Sequence, residues 1–410
     1  MKKYTIGVFF GTLLHENMGC NALNYSFMQC CTEVGIRIGV SFKYVFYWDI
    51  PSSFKKDDLP VELQNYDIEF QKVPDSYLRL FLKGLLKDKM QSYNEFFDSI
   101  KKCDFFVDTC GGDSFSDIYG SYTLKYIYKN HALAKKYEKN TILLPQTIGP
   151  FSTNEGEKRA AEMLKNSKHI FVRDIISKDV ASKYIPGDKI TQTIDMAFYM
   201  DYLPTEKLNT SGDIYIGLSP SALLWNGGYT AKNQFGLKED YKTMVYKIIE
   251  YLNDKNYQIV LVGHVLYGTA SKPREDDYWL CKRLQRKYPF CKLAPFFYSP
   301  MEAKSFISSL DGLMSSRMHC CIGAYSSGVP VFTLGYSRKF NGLFKETLEY
   351  PYGTDLRKDD IANTMEKLDR FLSSLDAINK QMPDRIKFVK DEKEKFIQTL
   401  THTIESCIKK

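Results

Sequence analysis

The sequence predicts an α/β protein built from two parallel-sheet halves. Short apolar runs alternate with longer amphipathic stretches along its 410 residues, the mark of strands joined by crossover helices. The alternation lapses once, at the polar and turn-rich MDYLPTEKLNTSG (200–212), and then restarts. Polar, glycine-bearing loops follow the strands in both halves, as in an enzyme whose ligand bridges strand carboxyl ends across a cleft.

In chain order, YTIGVFF (4–10), KYVFYW (43–48), CDFFVDTC (103–110), TILLPQT (141–147) and HIFVR (169–173) read as buried strands. NALNYSFMQCCTEVG (21–35), TLKYIYKNHALAKKYEK (123–139) and EGEKRAAEMLKNS (155–167) read as helices between them. After the linker come strands at DIYIGLSP (213–220), YQIVLVGHV (257–265), GLMSS (312–316) and VPVFTLG (329–335), with helices near 238–254 and 275–287. From about residue 358 the pattern is two charged helices. The expected division is 1–200 and 201–410.

Composition narrows the classes. Hydrophobic residues at 44% and charged ones at 26% are those of a water-soluble globular chain. A net charge of +7 favours anionic partners, but no arginine run with interleaved aromatics marks a nucleic-acid binder. The ten cysteines form no Cys-x-x-Cys pair, and Cys30-Cys31 and Cys320-Cys321 lie in apolar stretches as buried thiols. The lysines and apolar run at the start pass directly into a strand-turn-helix pattern, which speaks against a leader peptide. No stretch reaches the ~18 apolar residues of a spanning helix, so a cytoplasmic protein with reduced thiols is expected.

Several loops carry candidate chemistry. In SSRMHCCIGAYSSGVP (315–330), Arg317 and His319 fall between a strand end and a helix start, where unpaired N–H groups attract an anion. Arginine adds a two-pronged grip on phosphate or carboxylate, and histidine can donate a proton near neutrality; an ordinary turn uses the same residues. In VDTCGGDSFSD (107–117), Gly111 and Gly112 allow close backbone approach, and Asp113 or Asp117 could serve as a base or simply complete a turn. Asn17, Gly19 and Asn21 occupy the turn after the first strand, and PQTIGPF (145–151) ends another. Arg173 closes a strand, and Ser177 beyond it serves as a helix cap or a ligand contact. SYLRLFLKGLLKDKM (76–90) sets five apolar residues on one helical face among basic ones, which suits either a core-facing helix or an anionic bilayer surface.

These blocks together resemble the polysaccharide pyruvyltransferase family, from about residue 7 to residue 345. SSRMHCCIGAYSSGVPVFTLGYSRKFNGLF is similar to the family's Arg-x-His, small-residue helix, Gly-Val-Pro and Tyr-x-x-Lys signature. PQTIGPF resembles its Gln-x-Ile-Gly-Pro strand end, and FVRDIIS its Arg-Asp-x-x-Ser. Departures stand at Cys20, where the family's Asn-x-Gly-Asp has its acid, at Gly111-Gly112-Asp113 in place of a glycine triplet, and at Asp195-Met196-Ala197 in place of Asp-Pro-Ala.

The resemblance implies two Rossmann-like domains in a glycosyltransferase-B-like arrangement. It implies transfer of pyruvate from phosphoenolpyruvate to two sugar hydroxyls, giving a cyclic ketal and phosphate, in the biosynthesis of a capsule or exopolysaccharide. His319 is then the general acid. Arg317, Arg173 and Lys339 bind the donor, with Arg173 completing a clamp from the opposite domain. Asn17, Gly111, Gly112 and Gln146 line the acceptor side or the cleft, with Asp113 as the catalytic residue that orients or deprotonates the acceptor, a role open to Asn17 as well. No metal or cofactor is called for. Acceptors in this family are commonly lipid-linked, so peripheral contact with the inner face of a membrane is a further expectation. The competing readings are a sugar-nucleotide glycosyltransferase on the same scaffold and a non-catalytic glycan-binding protein.

Overall fold

The computed structural model describes residues 1–47, 56–74, 87–117, 120–208, 212–267 and 274–409. They form two compact units. One holds Met1–Leu13, Leu23–Met196 and Glu394–Lys410, and the other Leu14–Ala22 and Ala197–Lys393. The change from one half to the other thus falls at Met196, just before the expected linker. Two short segments are exchanged besides: residues 14–22 belong with the second unit, and the chain from Glu394 with the first.

In the first unit the order is β1 (Lys2–Phe9), α1 (Met18–Ile38), β2 (Val40–Phe46), β3 (Asp67–Phe70), α2 (Lys87–Lys102), β4 (Phe105–Asp108) and α3 (Ser121–Lys136). It continues with β5 (Asn140–Gln146), α4 (Asn154–Asn166), β6 (His169–Val172), α5 (Ile175–Ser182) and β7 (Ile190–Gln192). The seven strands are all parallel, in the order β3-β2-β1-β4-β5-β6-β7. Apolar clusters account for the layering. Phe9 and Phe106 stack at 4.4 Å in a cluster with Phe96 and Ile100 of α2, while Leu124, Ile127, Met163 and Leu164 of α3 and α4 gather with Leu143 and Ile170. The basic stretch 76–90, expected as an amphipathic helix, lies outside the described residues except for the first residues of α2.

The second unit runs β8 (Tyr215–Ser219), α6 (Ala222–Trp225), α7 (Tyr241–Asp254), β9 (Gln258–Leu261), α8 (Asp277–Lys287), β10 (Lys292–Leu293) and α9 (Pro300–Ile307). Then follow β11 (Gly312–Ser315), α10 (Met318–Ser326), β12 (Val331–Gly335), α11 (Arg338–Phe340), β13 (Gly353–Asp355), α12 (Ile361–Ser373) and α13 (Leu375–Ile408). Its six parallel strands take the order β10-β9-β8-β11-β12-β13. β8, β11 and β12 are buried at every residue, which is why they read as continuous apolar runs. Side-chain caps start the helices where the sequence turns polar: Asp240 receives the Thr243 N–H, Asp276 those of Tyr278 and Trp279, and Ser299 that of Glu302 ahead of Pro300.

Both sheets reverse strand order between their first and fourth strands in sequence, β1/β4 and β8/β11. In such sheets ligands bind beyond the strand carboxyl ends at that reversal. VDTCGGD follows β4, and SSRMH follows β11. No helix among the described residues is long and apolar enough to cross a membrane.

Candidate active site

In the second unit, the buried run GLMS of β11 delivers the chain to Ser316 and Arg317. Arg317 holds an extended backbone immediately before α10, its N–H donating to Ser315 Oγ at 2.9 Å. His319 is the second residue of the helix, and both side chains are half-buried. One carboxylate organises the surroundings. Asp277, fully buried at the start of α8, accepts Arg317 Nε at 2.8 Å and Nη2 at 2.6 Å. It also accepts the N–H of Ala222 at 2.8 Å and that of Val265 at 2.9 Å. A single acid thus ties the loops after β8, β9 and β11 together. Burial alone would lower the Arg317 pKa, but Asp277 outweighs it and holds the guanidinium above its ordinary range. Arg317 is therefore a fixed cation with its Nε edge committed to Asp277.

His264, at the carboxyl end of the β9 segment, is buried and pushed down to about 3, first by desolvation and then by the nearby His319 and Arg317. It is neutral at physiological pH. The turn of residues 14–22 closes this side. Asn17 bridges Val265, Glu16 C=O accepts the Leu266 N–H, and the Met18 N–H reaches His264 C=O at 3.2 Å. Asn17 Oδ1 caps the helix start by accepting the Gly19 N–H. A Cβ on Gly19 would lie 2.2 Å from His319 Nδ1, so glycine is required for the backbone to press against that ring. Tyr241 links Ser221 and Ser316 beneath the loops, at 2.9 and 2.7 Å. Lys339, in α11 after β12, is half-buried with its ammonium 6.0 Å from the Tyr336 ring.

In the first unit, the chain after β4 makes a tight turn in which Cys110, Gly111 and Gly112 all have positive φ, at 43°, 57° and 90°. Such a run is costly for a non-glycine residue and is held here by Asp108, whose Oδ1 accepts the Cys110 N–H at 2.7 Å. The other oxygen of Asp108 pairs with His131 Nε2 at 3.0 Å, both side chains buried. Asp113 follows the turn, half-buried, and its N–H donates to Cys110 C=O. Gln146, at the end of β5, is fully buried, with Nε2 3.4 Å from Asp108 C=O.

The structure separates the expected site residues into these two groups. Arg317, His319 and Lys339 lie in the second unit, and Gly111, Gly112, Asp113, Gln146 and Arg173 in the first. Asn17, expected on the acceptor side or in the cleft, belongs to the second unit with His319, because the 14–22 turn pairs with the loop after β9. Arg173 lies inside the first unit. It is 1% exposed, with Nη1 on Asp195 at 2.6 Å and Nε on Thr147 Oγ1 at 2.9 Å. Those two contacts take up Nη1 and Nε, while Nη2 is buried with no hydrogen-bond partner among the described residues. The other motif residues are knitted in the same way. Asp174, not Ser177, caps α5, while Ser177 Oγ accepts the Ile148 N–H from the Gln-x-Ile-Gly-Pro turn. Asp117 receives the N–H groups of Ser152 and Thr153 and is held below the usual carboxylate range: burial would raise it, but these donors prevail. It secures the entry to α4.

Sequence reasoning missed Asp277, His264, Asp108 and His131. Asp277 stands in a Glu-Asp-Asp run that signals only a helix cap, and that cap is Asp276. His264 and Asp108 each end an apolar run, a position that could have flagged them.

The family model described as polysaccharide pyruvyl transferase matches residues 40–338. No curated protein matches the chain. Similar solved structures include the UDP-GlcNAc 2-epimerase from Neisseria meningitidis bound to UDP-GlcNAc, at 14% identity and TM-score 0.56, covering 97% of this chain and 99% of that one. Anabaena Alr3699/HepE in complex with UDP and glucose matches at 10% identity and TM-score 0.58 over 98% and 99% of the two chains. The S. aureus MnaA–UDP structure matches at 11% and 0.57 over 100% and 98%. At such identities the likeness establishes the fold, two Rossmann-like domains of glycosyltransferase-B type.

Proposed function

Because the chain belongs to the polysaccharide pyruvyl transferase family, a transferase family acting on polysaccharides, we propose that it moves pyruvate from phosphoenolpyruvate onto two hydroxyls of one sugar. The observation that carries this reading is the meeting of Arg317 and His319 at the switch point of the second sheet, with Arg317 locked by Asp277 and His319 packed under Gly19. A fixed cation beside a half-buried imidazole is what an enol phosphate needs: charge to hold it and a proton to activate it.

In this reading His319 protonates carbon 3 of the enol. Carbon 2 gains oxocarbenium character and is captured by a sugar hydroxyl, whose proton returns to the imidazole. The second hydroxyl then attacks carbon 2, the C–O bond to phosphate breaks, and the remaining proton leaves with the phosphate. Arg317 and Lys339 neutralise the donor's phosphate and carboxylate, so no metal or cofactor is assigned. Asp113, at the strained glycine turn of the first unit, orients the acceptor. Asn17 shapes the turn that positions Gly19 against His319. The acceptor is a glycan precursor, carried on a lipid where assembly occurs at a membrane.

The test is phosphate release from phosphoenolpyruvate against a panel of glycosides, with mass spectrometry for the ketal. Release of nucleoside diphosphate from a nucleotide sugar, without ketal formation, would replace this reading with the glycosyltransferase one. His319→Ala should reduce kcat by ~10²–10⁴-fold, the usual worth of a positioned acid. Near-normal ketal formation by a folded His319→Ala protein would remove His319 from that role.

A further inference from the structure

We propose that the outer face of α8 is a docking surface for an anionic phospholipid bilayer. At about 100° per residue, the helix places Tyr278, Lys282, Arg286, Trp279, Arg283 and Lys287 on one arc of roughly half its circumference. Asp277, Leu280, Cys281 and Leu284 point inward and are buried. The arc therefore carries four cations, two aromatic rings and no acid. All four cations are exposed, and none has an ion-pair partner among the described residues.

The rings order these charges. Lys282 Nζ lies 4.5 Å from the Tyr278 ring centre, Arg283 4.7 Å from Trp279, and Lys287 4.5 Å from Tyr246 of α7. Aromatic contacts extend the ledge on both sides. Tyr278 meets Phe296, which meets Tyr298; beyond the other end, Tyr288 meets Phe290. Phe290 is 47% exposed and Tyr298 73%. The pattern of cations above half-buried rings, with exposed aromatics at the edges, matches the headgroup zone of a bilayer. There ammonium and guanidinium groups meet lipid phosphates, and aromatic edges sink to the acyl boundary. A nucleic acid would use the rings as stacking platforms, but here cations cover their faces.

The full chain should co-sediment with vesicles of phosphatidylcholine containing ~30 mol% phosphatidylglycerol, should fail to do so with pure phosphatidylcholine, and should be released by salt. The K282E/R283E/R286E/K287E variant should bind at least ~100-fold more weakly. F290S/Y298S, which alters only exposed side chains, should bind ~10-fold more weakly at an unchanged melting temperature. Equal binding to neutral and anionic vesicles, or no binding to either, would overturn the proposal. So would a folded charge-reversed variant that binds like the wild type. Retention by heparin or DNA as strong as by vesicles, with F290S/Y298S unaffected, would also overturn it, since that is a general polyanion surface.

Discussion

Gly19 shows how much one side chain, or its absence, decides. Its N–H is capped by Asn17, and the space where its Cβ would stand is filled by His319. Gly19→Ala must displace the imidazole, because the added carbon would lie 2.2 Å from Nδ1. Misplacement of a reacting group by about 1 Å costs ~10²-fold, so kcat for ketal formation should fall by ~10- to 100-fold. Donor binding should change little, because Arg317 is held by Asp277 on another side. A wild-type kcat would show that the ring does not need its present place. The glycine was legible in the sequence, but its reason was not: no local pattern says which distant side chain a helix start will meet.

At the scale of elements, α9 carries an unusual clasp. Lys304 is buried and donates to Met200 C=O at 2.6 Å and Phe198 C=O at 3.5 Å, tying the segment after Met196 to the helix. Burial pushes its ammonium down to about 7 from an ordinary 10.5; Asp201 opposes the shift and Lys393 adds to it. The sign follows from proton counting. Between those values the unfolded chain holds a proton that the folded one lacks, so the penalty is full below pH 7 and fades as pH rises toward 10.5. Relative to Lys304→Met, the melting temperature of the wild type should therefore improve from about pH 6 to about pH 9. A difference that is flat with pH would show that the clasp is charged throughout. Nothing in the sequence marks this lysine, since PMEAKSFI reads as an ordinary amphipathic turn. The short edge strands β3, β7, β10 and β13 leave no mark in the sequence for a related reason: two to four residues cannot display a period.

For the whole molecule, the C-terminal end of α13 is a structural part of the first unit. Phe396 packs edge-to-face on Phe171 of β6 at 4.9 Å, and Arg37 of α1 grips Glu394 through both guanidinium ends, at 2.9 and 2.6 Å. Phe396 is fully buried, so Phe396→Ala should cost ~3–5 kcal/mol, read as an earlier denaturant midpoint. The exposed Arg37–Glu394 pair should contribute well under that, ~1 kcal/mol or less. A loss below ~1 kcal/mol for Phe396→Ala would mean that the helix end is only loosely attached.

The sequence by itself determined the layering, the two parallel sheets and the Arg-x-His strand end, because buried strands and amphipathic helices write their periods locally. Tertiary structure alone decided which charges remain at the site and which are spent inside. Arg317 and Arg173 look alike as strand-end arginines. The first, 12% exposed, is gripped by Asp277 at Nε and Nη2, and the second, 1% exposed, is paired with Asp195 through Nη1. The same holds for Asn17, carried to the second unit by backbone pairing with Val265. Ion pairing and loop pairing join residues far apart in the chain, and only the folded backbone brings them within reach.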